Sequence, residues 1–270
     1  MYLQDKCLES EVSNVMKKGY IISEDKAKIV YSVIGNGPAI VLGHALGATK
    51  EVWMESGWVD ILKEHFTVVT IDLRGNGESD SSSEVDFYTQ NKVISDINMI
   101  VKKCGFTTYN YFGHSYGATI GLKLCKENKN VQKVVCAGTN FGEEFFTTIV
   151  PDIIADYQKF KGIKERNIFD EENLSNEDIE WLKNTNINAR LAKLKAMNKW
   201  TGVEINEIKG KLAIYSGEED IPLVKEDIIN NQEDLNKNGI SSKVFEKLNH
   251  AELVTKSEIV SPWVLEFLLK

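Results

Sequence analysis

Five short runs of apolar residues recur along the chain, and stretches with helical spacing of apolar residues separate them. Runs this short and continuous are typical of strands that are buried on both faces. Strands that alternate with helices form a mainly parallel sheet with helices on both faces. The sequence therefore predicts an α/β fold with a mainly parallel, doubly wound sheet. The five predicted strands are 39–42, 66–71, 109–112, 131–137 and 211–215.

Two further elements are predicted before the first of these runs. Residues 29–33 precede a glycine- and proline-rich turn and predict an antiparallel strand at the edge of the sheet. Residues 1–18 place Leu8, Val12, Val15 and Met16 on one helical face. We expect an amphipathic helix there that packs on the body; a helix that binds a partner is the alternative.

The alternation of strands and helices stops over residues 139–205. This segment is rich in charged and amide residues, and its apolar residues have helical spacing. It follows a predicted strand, at the end of the sheet where ligand crevices form in open α/β folds. We therefore predict a helical cap over 139–205, inserted into a core of residues 19–138 and 206–270. A peripheral lobe without substrate contact is the alternative.

A pentapeptide with glycine at both ends, Gly113-His114-Ser115-Tyr116-Gly117, joins a predicted strand to a stretch compatible with a helix. A sharp turn there holds the serine backbone at positive φ, and the positions two before and two after it must lack bulky side chains. The two glycines meet that requirement. The pattern predicts an exposed serine at the apex of a strand, a turn and a helix, although a solvated serine in an ordinary turn has the same pattern.

Several motifs together resemble the α/β-hydrolase family, over almost everything from Gly19 to Lys270. Residues 43–48 (GHALGA) look like that family's His-Gly loop, and residues 72–79 (DLRGNGES) match its D-x-R-G-x-G-x-S turn. Residues 216–220 (SGEED) follow a strand as the family's acid loop does, and His250 follows a later strand as its histidine does. The order serine, acid, histidine is the one this fold uses.

The resemblance implies a catalytic triad of Ser115, Asp220 and His250. A serine hydroxyl needs a base to accept its proton, and histidine, whose side chain titrates near neutral pH, suits that task. A buried carboxylate then fixes the imidazole tautomer. Among the neighbouring acids, Asp220 is favoured over Glu218 and Glu219 by its distance from the strand end.

The resemblance also implies an oxyanion hole made of the backbone N–H groups of Leu46 and Tyr116. Two positions depart from the family pattern. Ala45 stands where glycine is usual, which could shift the first of these N–H groups and narrow the substrate range. Asn249 stands where glycine is common, directly before the histidine.

Three other side chains are candidates for the substrate pocket. His44 lies near the predicted site, where we expect it to orient the oxyanion loop rather than act as a base. Trp181 and Trp200 lie in the predicted cap. Two more histidines compete as bases: His114 is expected to point into the packing of the elbow, and His65 to be solvated.

These motifs predict a serine hydrolase that cleaves a small carboxylic ester, thioester or lactone. The serine in the elbow argues against haloalkane dehalogenases and epoxide hydrolases, relatives whose nucleophile is aspartate. The loop and turn are also similar to those of enol-lactonases of aromatic catabolism, a likeness that does not decide the substrate. A carbon-carbon bond hydrolase or lyase on the same triad, and a small-molecule sensor with vestigial activity, remain alternatives.

The net charge and the spacing of the cysteines limit the kinds of partner, metal and cofactor that we expect. The formal net charge is −8 and lysines are dispersed, so neither nucleic acid nor an anionic membrane is an expected partner. The four cysteines show no metal-ligand spacing, and we expect no metal and no cofactor. No run of about 20 apolar residues and no secretory signal is apparent. We expect a cytoplasmic monomer or homodimer acting on a small ester-like molecule.

Overall fold

The computed structural model of the protein describes residues 13–127, 129–169 and 174–270. Eight strands form one sheet in the order β1-β2-β4-β3-β5-β6-β7-β8. Strands β3 to β8 run parallel, whereas β2 pairs antiparallel with both β1 and β4. The predicted mainly parallel α/β sheet is confirmed. The strands are β1 (Ser13–Ile22), β2 (Lys28–Gly35), β3 (Ala39–Gly43), β4 (Thr67–Ile71), β5 (Tyr109–His114), β6 (Val131–Ala137), β7 (Lys211–Glu219) and β8 (Ser241–Asn249).

Helices connect the parallel strands and cover both faces of the sheet. The α-helices in the described ranges are α1 (Val52–Glu55), α2 (Trp58–Leu62), α3 (Gln90–Lys103), α4 (Tyr116–Glu127), α5 (Val150–Arg166), α6 (Asn176–Asn184), α7 (Ile187–Met197), α8 (Pro222–Asn230), α9 (Gln232–Lys237), α10 (Glu252–Thr255) and α11 (Ser257–Leu269). Short 3₁₀ segments occupy Val85–Tyr88 and Ile205–Glu207, and a π-helical turn spans Phe145–Ile149. None of the described helices is long and apolar enough to cross a bilayer.

The sheet divides the core into two apolar layers, because successive side chains of a strand point to opposite faces. In β3, Val41 packs in the layer that contains α3 and α4. Its neighbours Ile40 and Leu42 pack in the layer that contains α2 and α11. Each fully buried aliphatic side chain of this kind contributes about 1.5–3 kcal/mol. These two layers hold the strands in register, and so fix where their carboxyl ends meet.

The amino-terminal prediction is wrong for residues 13–18, which begin strand β1 instead of continuing a helix. The strand pairs with β2 from Lys17, opposite Val33, to Ile22, opposite Lys28. This pairing satisfies the backbone, and the aromatic and β-branched residues 20–22 favour extended structure. Residues 1–12, the rest of the predicted helix, lie outside the described residues. The strand predicted at 29–33 is antiparallel, but β1 rather than β2 forms the edge.

The chain between β6 and β7 contains α5, α6 and α7, which we call the helical insertion. Its outer part has an apolar cluster of its own that includes Ile163 and Leu182. Its last turns pack differently: Leu194 and Met197 join the same apolar cluster as Tyr116, the residue that follows Ser115. Helix α7 and the start of α5, whose Val150 is in the same cluster, are therefore the parts of the insertion that pack beside Tyr116.

Candidate active site

Ser115 lies at the sharp turn between β5 and α4, and its φ of 53° is in the left-handed region. A residue other than glycine is strained there, so the surrounding contacts must hold it. The Ser115 N–H donates to the carbonyl of Ala137 at 2.8 Å, and its own carbonyl accepts from the Thr119 N–H at 2.9 Å. The partly exposed serine thus stands at the start of a helix, whose first N–H groups have no partner within the helix.

The two glycines that flank the serine allow neighbouring backbones to approach closely. A Cβ on Gly113 would lie 2.3 Å from the Gly117 carbonyl, and one on Gly117 would lie 2.1 Å from the Gly43 carbonyl. Real Cβ atoms do not tolerate such distances, so these positions require glycine. The Gly117 N–H donates to the His44 carbonyl at 3.1 Å and joins the elbow to the loop after β3.

His250 and Asp220 follow adjacent strands, β8 and β7, and are joined by a hydrogen bond. His250 Nδ1 donates to Asp220 Oδ1 at 2.6 Å, and the Asp220 side chain is fully buried. Burial opposes a charge on this carboxyl, but hydrogen bonds from His250, Ser216 and the Ile221 N–H outweigh it and lower the pKa of Asp220. An imidazole that donates through Nδ1 carries its lone pair on Nε2. His250 is therefore oriented as a general base requires.

His250 lies next to the serine elbow. The His114 and His250 rings are 5.0 Å apart between centroids, and His114 Nε2 donates to the His250 carbonyl at 2.9 Å. A Cβ on Gly138, one residue from the Ser115 partner Ala137, would lie 2.9 Å from His250 Cε1. The structure thus brings together the neighbourhoods of all three residues of the predicted triad.

The two glutamates that precede Asp220 have other surroundings. Glu218 and Glu219 are exposed, and Glu218 Oε2 accepts from the Lys247 N–H at 3.1 Å. Asp220 is the acid of this loop that contacts His250. The strand predicted over 211–215 extends to Glu219, so Asp220 directly follows it, and the separation that favoured Asp220 in the sequence is absent from the structure.

Two of the other three histidines, His44 and His114, are buried, and their ring nitrogens make hydrogen bonds. Burial lowers the pKa of both His44 and His114 to about 4, which keeps them neutral near pH 7. His44 Nε2 accepts from the Leu73 N–H at 3.0 Å, and Nδ1 donates to the Ala45 carbonyl at 2.7 Å. The fully buried His44 is thus hydrogen-bonded within the loop that follows β3 and to the turn at Leu73. His65 is exposed, as expected.

The D-x-R-G-x-G-x-S turn holds the loop that carries Leu46. Asp72 Oδ1 accepts from the Lys50 N–H at 2.8 Å, and Asp72 Oδ2 accepts from Lys50 Nζ at 2.8 Å. Asn76 Nδ2 donates to the carbonyls of Leu46 at 2.8 Å and Ala48 at 2.7 Å. Bonds at both ends of the loop fix its path despite the alanine at position 45. Asn249 likewise accepts from the N–H groups of Ala251 and Glu252, at 3.0 and 3.1 Å, and orders the chain after His250.

Helix α7 adds two cations to this loop that sequence reasoning missed. Arg190 Nη1 donates to the Leu46 carbonyl, and Lys193 Nζ donates to Asn76 Oδ1. Asn76 was visible within a recognised motif, but no motif marked the two cations. Their contacts join residues more than 100 positions apart in the chain.

The two tryptophans predicted for the pocket lie in different places. Trp200 is buried, and its ring centroid is 5.3 Å from that of Tyr116 beside the elbow. Trp181 is 39% exposed and packs against Tyr157 and Phe160 within the helical insertion. Trp200 therefore borders the candidate site, whereas the ring contacts of Trp181 are in the outer part of the insertion.

Comparisons with known proteins give a consistent family assignment. A family model described as alpha/beta hydrolase fold matches residues 38–224. An uncharacterized hydrolase of Bacillus subtilis, YraK, is 33% identical over 99 residues, which are 37% of this chain and 36% of that protein. The matched segments span only 19% to 36% of the length of the curated relatives.

Solved structures match over nearly the whole chain at low sequence identity. The enol-lactonase from Burkholderia xenovorans LB400 has a TM-score of 0.70 and 18% identity, and covers 93% of this chain and 100% of its own. The epoxide hydrolase VrEH1 from Vigna radiata has a TM-score of 0.71 and 17% identity, over 94% of this chain and 98% of its own. These matches establish a shared fold.

Proposed function

The chain belongs to the α/β-hydrolase fold family, and from this premise we propose that it is a serine hydrolase that cleaves a small carboxylic ester, thioester or lactone. The observation that carries the proposal is the 2.6 Å bond from His250 Nδ1 to the buried Asp220, beside a serine at a strained turn. A histidine held in this way accepts a proton from a serine that attacks a carbonyl carbon.

The reaction proceeds in two halves. Ser115 Oγ attacks the carbonyl carbon while His250 Nε2 takes the hydroxyl proton, and the tetrahedral intermediate carries its negative charge on the former carbonyl oxygen. Collapse expels the alcohol, thiol or enol, which receives that proton from His250, and leaves an acyl group on Ser115. Water then attacks the acyl-enzyme with His250 again as base, and the acid is released.

Backbone N–H groups of Leu46 and Tyr116 stabilise the oxyanion in this proposal. Tyr116 opens α4, where the helix dipole favours negative charge. The bonds from Asn76 and Arg190 to the Leu46 carbonyl support a fixed position of the oxyanion loop. A donor that is already in place costs no reorganisation during the reaction, and one such donor contributes about 3 kcal/mol of transition-state stabilisation.

The serine at the elbow, rather than the similar proteins, favours ester or lactone chemistry over epoxide opening. An enol-lactonase and epoxide hydrolases share this fold. Epoxide hydrolases of the family use an aspartate nucleophile, whereas this chain has Ser115 at the elbow. A neutral hydroxyl needs the His250 base and an oxyanion site, and residues suited to both parts are present. Lactones differ from open esters only in that the leaving group stays attached to the product.

We further propose that the helical insertion acts as a cap, with α7 and Trp200 next to the acyl group. Trp200 and Trp181 provide a matched pair of variants. Trp200→Leu should change the ratio of kcat/KM between short and long 4-nitrophenyl esters by about tenfold, because each methylene in a pocket is worth about 1–3 kcal/mol of discrimination. Trp181→Leu should leave the ratio within about twofold. Equal ratios in both variants, with melting curves that show folded protein, would support a peripheral lobe.

A turnover screen tests the function itself and separates the enzyme from the sensor alternative. Purified protein is assayed on esters, thioesters and lactones of varied acyl length. An enzyme is expected to turn over its proper substrate at about 1–1000 per second. Turnover that is slower by orders of magnitude on every compound, together with a raised melting temperature on binding one of them, would identify a sensor.

A further inference from the structure

Lys193 is the most unusual charged residue near the candidate site. It lies on α7, and only 1% of its surface is exposed. Its Nζ donates to the neutral side-chain oxygen of Asn76 and lies 5.5 Å from the ring centroids of both Tyr88 and Tyr116. Burial, reinforced by the nearby Arg190 charge, lowers the pKa of Lys193 well below its usual value. The side chain is thus a buried amine that an anion would stabilise in its charged form.

The other deeply buried cations in the described part of the chain have carboxylate partners. Lys50 pairs with Asp72 at 2.8 Å, and Arg74 pairs with Asp96 at 2.5 Å. Such pairing is the usual condition for burying a charge, because an uncompensated one is costly. Within the same described ranges, Lys193 forms no ion pair within 4.0 Å. A buried lysine that lacks a carboxylate partner, at the border of a candidate active site, is suited to bind the anionic group of a ligand.

Two further polar atoms in this neighbourhood are buried without a hydrogen-bond partner. They are the hydroxyl of Tyr116 and Nε1 of Trp200, whose rings are 5.3 Å apart. Trp200 Nε1 and a protonated lysine only donate, and a tyrosine hydroxyl can donate as well. The chemistry that satisfies all of them is a group with several acceptor oxygens. Of the four such atoms in the described part of the chain, these two belong to neighbouring rings at the border of the candidate site, where an acceptor group of a ligand would satisfy them.

We propose that Lys193, Tyr116 and Trp200 form a subsite for a carboxylate, so that the natural substrate is an ester, thioester or lactone that carries a second, anionic carboxyl group. This inference rests on the proposed function and specifies its substrate class. Because Tyr116 directly follows Ser115, and Asn76 joins Lys193 to the loop that carries Leu46, we place the carboxylate on the acyl chain, a few carbon atoms from the scissile carbonyl. The net charge of −8 opposes anions at long range, so a preference for an anion would be local in origin.

A pair of esters with the same six-carbon acyl chain tests the subsite. 4-Nitrophenyl hydrogen adipate ends in a carboxylate, and 4-nitrophenyl hexanoate ends in a methyl group. The protein should prefer the adipate in kcat/KM by about tenfold or more, since a hydrogen bond to a buried charged group is typically worth that much. No preference, or a preference for the hexanoate, would overturn the proposal.

Matched variants on α7 assign the preference to one side chain. Lys193→Met should reduce the adipate-to-hexanoate ratio by about tenfold, whereas Lys195→Met, which removes the same charge from an exposed position of the same helix, should retain it. Equal ratios in the two variants would contradict the subsite. Melting curves show whether both variants fold. The adipate-to-hexanoate ratio of the unaltered protein tests the subsite even if they do not.

The subsite and the proposed function can fail separately. If neither ester is hydrolysed, the hydrolase proposal fails, and the subsite is tested by the melting temperature of the unaltered protein with adipate or with uncharged hexane-1,6-diol. A larger rise with adipate that Lys193→Met removes would support the subsite. Equal shifts would overturn it and indicate that ordinary water satisfies the buried groups.

Discussion

Replacing Ser115 by alanine should lower hydrolysis of a model ester by at least about 1000-fold, the largest loss expected from any single substitution in this chain. The reason is chemical, because the variant has no oxygen from which to form the acyl-enzyme. Alanine is no larger than serine and enters the same strained turn, so the melting temperature should change little. Initial rates with a 4-nitrophenyl ester measure the loss.

Ser216 offers a control for this substitution. It is a buried serine whose hydroxyl donates to Asp220 Oδ2 at 2.8 Å, so it contacts the acid rather than the serine elbow. Ser216→Ala should cost about tenfold in rate, as expected for one supporting hydrogen bond. A Ser115→Ala protein as active as Ser216→Ala would contradict the assignment of the nucleophile.

Asp220→Asn should lower kcat by about 1000-fold or more. An asparagine amide in that place can donate to His250 Nδ1, which favours the tautomer that carries its proton on Nε2. That ring cannot accept the serine proton. KM should change less than kcat, because Asp220 contacts His250 and not the substrate. Steady-state kinetics that separate kcat from KM measure both.

The exposed Glu219 is the matched control for the acid. Glu219→Gln makes the same acid-to-amide change one residue earlier, and it should leave kcat within about twofold, since exposed charges contribute little. Equal losses in the two variants would remove Asp220 from its role. Because the pKa of Asp220 is lowered, its carboxylate should stay charged, and its contribution to the fold should persist, until the pH falls below the usual range of a carboxyl group.

Much of the fold could be predicted because its signals are local. A buried parallel strand such as β3 needs a continuous apolar run, and the turn at Ser115 needs glycine on both sides. Both requirements can be recognised within a few residues of the sequence. The motif at 72–79 was equally visible, and its aspartate and asparagine hold the loop that carries Leu46.

Other features depend on contacts that no local pattern records. Val15 and Met16 have helical spacing, yet residues 13–18 form a strand because β2 offers backbone partners. Lys193 resembles any surface lysine in the sequence, and only the packing of α7 against the residues around Ser115 buries it. Trp181 and Trp200 are alike in the sequence, and packing alone sets one beside Tyr116 and the other among insertion aromatics. Tertiary context decides all three cases.

Covalent labelling tests the central claim most directly, because it reports which atom is nucleophilic without requiring the natural substrate. The protein is treated with a fluorophosphonate, digested, and its peptides are identified by mass spectrometry. We predict one adduct, on the peptide that contains Ser115, that is lost in Ser115→Ala and strongly slowed in His250→Ala. An adduct on another serine with Ser115 unmodified, or ester hydrolysis that continues with Ser115 fully labelled, would contradict the account.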